Sequence, residues 1–248
     1  MALKDEIKCT RKEYFATATL KQKFEYLIHY YGPTALLIAA ILGFILYAVL
    51  QTVLQPKIVL NGTFINLYTY DTKNEANELG AKYLKEKGID TSKYTAKFGS
   101  NLVISSDLAV SQQASQALIS QVSAGILDFT VGSSDHLLSY GYEQIFADLT
   151  TILSEEQIKK YEPYFLYIDK EILLQKENAT FEELESIEYP DCTKPEDMKN
   201  PIPVFISITE SDIINDLYGF SDPHRCIGIV FNGKNQENAI EFLDYIMK

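Results

Sequence analysis

The sequence predicts an α/β protein in which a single N-terminal transmembrane helix precedes one domain with a mostly parallel sheet. Two observations predict this architecture. Residues 33–54 form one long apolar run, and the chain after that run alternates strand-like and helix-like segments. The composition, with 46% hydrophobic and 23% charged residues, is that of a folded protein and excludes a disordered or disulfide-rich chain.

The apolar run is long enough to cross a bilayer. Residues 35–50 carry no charged side chain, and a helix over 33–54 rises about 1.5 Å per residue, which spans a hydrocarbon core of about 30 Å. The run is apolar on every face, whereas a buried core helix of this length has an amphipathic period. No A-x-A-like cleavage site and no nearby cysteine follow it, so we expect an uncleaved, single-pass anchor.

The charge distribution predicts the orientation of this helix and the class of partner. Residues 1–32 hold six bases and four acids, whereas the chain after residue 55 holds 16 bases and 30 acids. The positive-inside bias therefore makes 1–32 a cytoplasmic juxtamembrane segment and places the C-terminal domain outside the cell membrane. A domain with a net charge of −14 repels phosphate backbones, so no nucleic-acid partner is expected.

The outer part divides into a linker over 55–61 and an α/β domain over 62–248. Strands are predicted at 64–70, 94–98, 102–104, 127–131, 202–208 and 227–231. Helices are predicted after the capping box that begins at Thr72, at 111–124, after Ser154, after Ser211 and at 235–247. Between them, residues 177–199 form an acidic excursion. Alternation at this spacing is typical of βαβ units and a parallel sheet.

The ends of the predicted strands supply the candidate ligand-binding residues. Open α/β sheets bind ligands outside the carboxyl ends of their strands. The candidates at those ends are Tyr68, Tyr70, Asp71, Ser133, Ser134, Asp135 and Tyr140. Packing in the core or at its rim is the alternative for the tyrosines, because aromatic residues that flank strands often serve that purpose.

The sequence contains no recognisable catalytic or metal-binding constellation. Ser133, Ser134, Asp135 and His136 are neighbours, but consecutive side chains on a loop point in different directions. No G-x-S-x-G, P-loop, H-E-x-x-H or C-x-x-C motif occurs. The histidines at 29, 136 and 224 lack the spacing of metal ligands. We therefore expect a protein that is not an enzyme and that uses no metal and no cofactor.

Two cysteines of the outer domain form a candidate disulfide. Cys192 and Cys226 are the only cysteines after the apolar run, and a disulfide persists outside the cytoplasm. Such a bond would join the acidic excursion to the strand near residue 227. It requires Cα atoms less than about 7 Å apart, a distance that the sequence does not determine.

Several segments resemble extracellular solute-binding proteins of the maltose-binding type. The resemblance is carried by SAGILDFTVGSSDHLLSYGYEQIFADLTTIL (123–153), PIPVFISI (201–208) and GIVFNGKNQENAIEFLDYIM (228–247). It implies a periplasmic-binding-protein-like lobe with a solute-binding role linked to transport. Residues 21–33 (KQKFEYLIHYYGP) also resemble the juxtamembrane segment of single-span membrane proteins of Firmicutes.

The chain departs from that family where the second lobe is normally inserted, because only 18 residues separate 208 from 227. The resemblance therefore implies a first lobe alone, tethered to the membrane. Two functions stay open. One is a membrane-anchored module that binds or senses a small-molecule solute weakly. The other is a scaffold that contacts another cell-envelope protein and has lost small-molecule binding.

Overall fold

The structure is a computed structural model that describes residues 16, 18–67, 75–105, 108–184 and 186–248. It divides into two compact units, Met1–Gln55 and Pro56–Lys248. All six strands and both hydrophobic clusters lie within the second unit. The second unit therefore has a complete core of its own.

One long helix, α1 (Leu20–Leu54), forms the described part of the first unit. It begins at a capping box in which the Thr19 hydroxyl accepts the Gln22 N–H and the Gln22 side chain accepts the Thr19 N–H. Within it, Tyr31–Gln51 has a mean hydropathy of 2.4 over its most apolar window, and that window is exposed throughout. This is the one helix in the described chain that is long and apolar enough to cross a membrane. A signal sequence near an N-terminus has the same length and composition.

The second unit is built on one mixed sheet of six strands in the order β2-β1-β3-β6-β5-β4. The strands are β1 (Lys57–Phe64), β2 (Tyr94–Gly99), β3 (Phe129–Ser133), β4 (Phe165–Asp169), β5 (Pro201–Ser207) and β6 (Arg225–Ile229). The helices are α2 (Glu75–Glu86), α3 (Leu108–Ser123), α4 (Ser134–Gly141), α5 (Leu149–Ile152), α6 (Glu155–Tyr161), α7 (Lys170–Asn178), α8 (Phe181–Leu184), α9 (Asp212–Tyr218) and α10 (Gln236–Ile246).

The prediction of a mostly parallel sheet is wrong for one half of the sheet. Strands β2, β1 and β3 are parallel, whereas β6, β5 and β4 each pair antiparallel with their neighbours. The link from β5 to β6 shows why. Helix α9 has seven residues and rises about 10 Å, whereas β5 is about 23 Å long. The 17 residues between Ser207 and Arg225, with this one short helix, return the chain to the sheet at the edge where β5 ends, so β6 runs antiparallel to β5.

The first strand also differs from its prediction. Strand β1 begins inside the stretch predicted as a linker and ends at Phe64, where the predicted strand was to begin. Asn61 and Gly62 interrupt the apolar pattern of β1, which is why the sequence pattern favoured residues 64–70. In the structure the polar Asn61 binds the buried Asp128 carboxylate through its backbone N–H at 2.7 Å. Residues 102–104, predicted as a strand, are irregular.

Each face of the sheet is covered by its own hydrophobic cluster. Helices α2 and α10 cover one face, where the rings of Phe64, Phe98, Phe129 and Phe242 pack with centroids 4.9 to 5.9 Å apart. Helices α3 and α4 cover the other face. Because both faces are filled, polar groups of the parallel strands gather at their ends, which is where the candidate site lies.

Candidate functional site

The loops that follow the three parallel strands meet at Asn66, one residue beyond the buried Ile65. The Asn66 side chain donates Nδ2–H to the Ile104 carbonyl at 2.9 Å and accepts the Ile104 N–H at 2.8 Å. The Ile65 N–H donates to the Val131 carbonyl at 2.8 Å. Asn66 has a φ of 56°, a left-handed conformation that asparagine tolerates better than most residues. Asn66 thus joins the loop after β1 to the loop after β2.

His136 brings the segment after β3 to the same point. Its Nδ1 lies 3.4 Å from Asn66 Nδ2, and both side chains are half-buried. The neutral tautomer with a free lone pair on Nδ1 accepts this contact. The His136 imidazole therefore contacts the Asn66 amide through its Nδ1. The carboxyl ends of the three parallel strands thus bring an amide and an imidazole side by side.

Ser133, Ser134 and Asp135 lie beside this pair at the start of α4. Ser133 is the half-buried N-cap of α4, and its hydroxyl does not cap the helix. Ser134 is buried, and its backbone N–H donates to the His224 carbonyl at 2.6 Å. Asp135 is exposed in the first turn of the helix. Ser133, Asp135 and His136 therefore reach the carboxyl edge, whereas Ser134 belongs to the layer beneath it.

The remaining predicted site residues are not at this edge or are not described. Tyr140 is buried in the cluster under α3 and α4, with its hydroxyl 2.6 Å from Ser115 Oγ. It lies six residues beyond Ser134, close to two helical turns along α4. The structure places it in the core, which is the alternative that the sequence left open for the tyrosines. Tyr68, Tyr70 and Asp71 lie outside the described residues.

Arg225, which the sequence analysis did not single out, is buried next to Ser133 at the carboxyl edge of the parallel strands. It pairs with Ser133 across β3 and β6 and is 1% exposed. Its Nη1 donates to Asn215 Oδ1 at 2.9 Å and to the Phe220 carbonyl at 3.1 Å. Its guanidinium lies 4.0 Å from the ring centroid of Tyr218. Burial lowers the pKa of Arg225, yet a guanidinium stays charged at neutral pH.

One feature of the sequence could have drawn attention to Arg225: it is a basic residue at the first position of the apolar strand β6. Since β6 was predicted to begin at residue 227, Arg225 lay outside the predicted strand. The Tyr218 hydroxyl, which donates to the Ile65 carbonyl at 2.9 Å, links the same cluster to the end of β1. One buried guanidinium, packed on Tyr218, therefore lies beneath the end of β1.

The two cysteines of the predicted disulfide are free, buried thiols in the structure. Burial raises the pKa of Cys192 and raises that of Cys226 well above its usual value. Cys226 pairs with Gly132 across β3 and β6, and the Ser134 side chain bonds to the Cys192 thiol. Both thiols belong to the cluster under α4. Their oxidation to a disulfide stays a prediction.

Three surface concavities lie away from the Asn66–His136 pair. The largest, about 550 Å³, is lined by residues such as Gly141, Ile202 and Phe231 at the opposite end of the sheet. One of about 340 Å³ lies between α6, the start of α9 and the end of α10, and one of about 410 Å³ lies beside α2. Among the described residues, no group of three or more His, Cys, Asp or Glu side chains is placed to hold a metal ion.

Comparison with known proteins gives a distant structural likeness and no sequence match. No family model matches the chain, and no curated protein matches it. Among solved structures, it is similar to the maltose-binding periplasmic protein MalE of Listeria monocytogenes in complex with maltose, with 18% identity and a TM-score of 0.25. That match covers 52% of this chain and 34% of the Listeria protein.

Two further solved structures are of the same kind. An ABC substrate-binding protein of Listeria monocytogenes in complex with cycloalternan is 13% identical with a TM-score of 0.25, over 50% of this chain and 34% of that one. The periplasmic binding protein AttC of Agrobacterium tumefaciens, in an open unliganded conformation, is 10% identical with a TM-score of 0.34, over 77% and 79%. The chain thus spans about a third of the two Listeria proteins. TM-scores this low do not establish a common fold.

Proposed function

We propose that the protein is a membrane-anchored, extracytoplasmic binding module that is not an enzyme and that holds its ligand at the carboxyl edge of β1, β2 and β3. The observation that carries this proposal is the convergence of the loops after β1 and β2 and of helix α4 after β3 on the Asn66–His136 contact of 3.4 Å. Beside that contact, the His136 imidazole, the half-buried Ser133 hydroxyl and the exposed Asp135 carboxylate offer donors and acceptors to a small polar solute.

The binding we propose is weak, because the described unit offers a single wall. A ligand enclosed between two walls loses nearly all of its hydration, whereas a ligand on one edge leaves about half of its surface wet. Both the apolar gain and the net strength of each hydrogen bond fall accordingly. We expect dissociation constants in the range of about 1 mM, which corresponds to about −4 kcal/mol of binding free energy.

Calorimetry on the soluble fragment 56–248 tests this proposal. A panel of sugars, amino acids and carboxylic acids should give at least one ligand of about millimolar affinity and none below about 1 μM. Asp135→Ala should weaken that ligand severalfold, because Asp135 is exposed at the edge. Glu177→Ala is the matched control, since it removes an equally exposed acid on α7. Binding that both variants leave unchanged would place the ligand elsewhere. A panel without any ligand would favour the scaffold function.

The anchoring part of the proposal is supported by α1 and by the charge on either side of it. Segment Tyr31–Gln51 is apolar and exposed, and the bases are concentrated before it. Protease added to intact cells should remove residues 56–248 and leave the membrane helix. Complete protection of the chain would contradict the orientation, and release of a soluble mature protein would show that the helix is a cleaved signal sequence.

A further inference from the structure

Helix α1 is longer than the apolar core of a bilayer is thick. Its 35 residues rise about 52 Å, whereas the hydrocarbon core of a membrane is about 30 Å thick. The apolar segment Tyr31–Gln51 alone rises about 31 Å and fills that thickness. Residues 20–30 therefore add about 16 Å of helix on the N-terminal side of the apolar segment, and they need surroundings of their own.

These residues carry an apolar stripe that leads into the apolar segment. Leu20, Phe24 and Ile28 are 86%, 66% and 55% exposed. Tyr31, the first residue of the apolar segment, continues the series. At about 100° per residue, spacings of four, four and three residues keep all four positions within an arc of about 80°. The capping box at Thr19 starts the helix directly before the first of them. The stripe is therefore continuous with the segment that we propose to face lipid.

The charges beside the stripe indicate what covers it. Lys21 and Lys23 lie about 60° and about 100° from the middle of the stripe, one on each side. Residues 1–32 hold six bases and four acids, whereas the chain after residue 55 is strongly acidic. This part of the chain therefore attracts an anionic surface. The cytoplasmic leaflet of a membrane is such a surface, and its headgroup region takes up apolar side chains.

The junction between the stripe and the apolar segment can bend. Pro33 lies inside α1 and has no N–H, so the carbonyl of residue 29 lacks its helical hydrogen bond. Gly32, directly before it, adds backbone freedom. Helices bend at such positions. A bend here turns the stripe away from the direction of the apolar segment and toward the plane of the membrane.

We propose that residues 20–31 form an interfacial helix that binds the cytoplasmic surface of the membrane. The stripe enters the headgroup region, and Lys21 and Lys23 contact the phosphates of anionic lipids. This inference rests on the anchoring part of the proposed function and adds a second membrane contact to it. A helix held by its apolar segment alone would instead project residues 20–30 straight into the cytoplasm.

Tryptophan fluorescence of the full-length chain tests the contact, because the chain has no tryptophan of its own. Phe24→Trp lies in the stripe, and His29→Trp is the control. Residue 29 lies about 140° around the helix from residue 24 and about 7.5 Å nearer to the apolar segment. The chain is reconstituted in vesicles of phosphatidylcholine and phosphatidylglycerol. Brominated lipids should quench Phe24→Trp at least twofold more strongly than His29→Trp.

The bent and the straight helix predict opposite orders of quenching. A straight helix places residue 24 further from lipid than residue 29, so stronger quenching of His29→Trp would overturn the proposal. Blue-shifted emission of Phe24→Trp without quenching would show that protein covers the stripe, and it would overturn the proposal as well. Phe44→Trp, at a position 72% exposed within the apolar segment, tests the anchor separately. If Phe44→Trp is not quenched, the anchoring part of the proposed function fails. If Phe44→Trp is quenched and Phe24→Trp is not, only the interfacial contact fails.

Charge reversal tests the two lysines. Lys21→Glu together with Lys23→Glu, added to Phe24→Trp, should at least halve the quenching in vesicles that contain phosphatidylglycerol. The same substitutions should leave the quenching unchanged in vesicles of phosphatidylcholine alone, because those vesicles carry no net lipid charge. Since Lys21 also lies 4.0 Å from Glu25, an equal loss in both kinds of vesicle would show that the substitutions act on the helix itself. That result, or unchanged quenching in both, would contradict the contact with anionic lipid.

Discussion

The parallel half and the antiparallel half of the sheet differ in where their connecting segments lie. In the parallel half, β2, β1 and β3 end together, and their loops collect polar side chains around Asn66 and His136. In the antiparallel half, β6, β5 and β4 alternate in direction, so their loops are divided between both ends of the sheet. The parallel strands thus concentrate polar groups at one edge, whereas the loops of the antiparallel strands make structural contacts.

Asp169 at the end of β4 is the clearest of these ties. Its carboxylate accepts the N–H groups of Glu171, Lys199 and Asn200 at 2.9 to 3.1 Å. Its own N–H donates to the Tyr142 hydroxyl at 3.0 Å. One side chain therefore closes the excursion that leaves the sheet after β4 and returns before β5.

The largest effect we expect concerns the two thiols of the antiparallel half. If Cys192 and Cys226 are oxidised outside the cytoplasm, the bond closes a loop of about 34 residues, and the chain-entropy model assigns it about 4 kcal/mol. Reduction should lower the free energy of unfolding of the fragment 56–248 by about that amount. Mass spectrometry without reductant should find the linked peptide. Two alkylatable thiols in the unfolded, non-reduced protein would show that no bond forms.

The next effect concerns glycines that make room for rings in each half. A Cβ on Gly62 of β1 would lie 2.1 Å from Phe129 Cζ, and one on Gly228 of β6 would lie 2.5 Å from Phe146 Cδ1. Phe129 is locked among three other rings, so Gly62→Ala should cost about 3 kcal/mol. Gly228→Ala should cost less, because Phe146 has fewer aromatic neighbours to displace.

Thermal or denaturant unfolding measures both glycine variants. Gly99→Ala in β2 is the control, since a Cβ there comes no closer than 3.4 Å to its nearest neighbour, Thr63 Oγ1. We expect a change within about 1 kcal/mol for this control. An equal loss for Gly62→Ala and Gly99→Ala would show that the aromatic cluster is not tightly packed.

The smallest effect is the pH dependence that Asp169 contributes. Burial alone would raise the pKa of this carboxyl, but the three backbone N–H groups lower it below 3.8 overall. A lowered folded-state pKa contributes stability that is fully present above about pH 4 to 5 and is lost as the pH falls through the folded value. Asp169→Asn should lower the free energy of unfolding by about 2 kcal/mol at neutral pH. The difference in unfolding free energy between the variant and the wild type should become smaller below about pH 3.8.

Asp191→Asn is the control for this titration. Asp191 accepts the Thr193 N–H in a similar short turn, but its side chain is 46% exposed. We expect Asp191→Asn to lower the free energy of unfolding by less than about 1 kcal/mol, because water can replace the hydrogen bond to the Thr193 N–H. A gap between wild type and Asp169→Asn that stays constant from pH 7 to pH 3 would contradict the role given to the carboxylate.

The sequence predicted the direction of the strands correctly in the parallel half and incorrectly in the antiparallel half, for a physical reason. The spacing of apolar residues and the glycines that end helices define each βαβ unit within about 30 residues. The strand predicted at 127–131 therefore lies close to β3. The direction of β6 depends on how the connection after β5 packs against the sheet, which no local pattern records. Strand β1 was misplaced because Asn61 and Gly62 look unfavourable in a strand until the partners Asp128 and Phe129 are known.

The candidate site divides in the same way. Ser133 and Asp135 were predicted because they follow an apolar strand directly. Asn66 was missed because its role depends on a contact with Ile104, 38 residues away. Arg225 was missed because it acts through burial against Tyr218 rather than through any motif. Tyr140 was selected by its position near a strand end, and its contact with Ser115 shows that helix α4 carries it into the core.

The most direct test of the central claim is a chemical-shift map of the fragment 56–248 titrated with the best ligand from the calorimetric panel. If the parallel half is the binding half, perturbed backbone amides should cluster at Asn66 and at Ser133 to His136, and the His136 imidazole signals should shift with them. Amides lining the concavity of about 550 Å³ at the opposite end, such as Gly141 and Ile202, should stay unchanged. Perturbations confined to that opposite concavity, with the Asn66–His136 edge silent, would contradict the account.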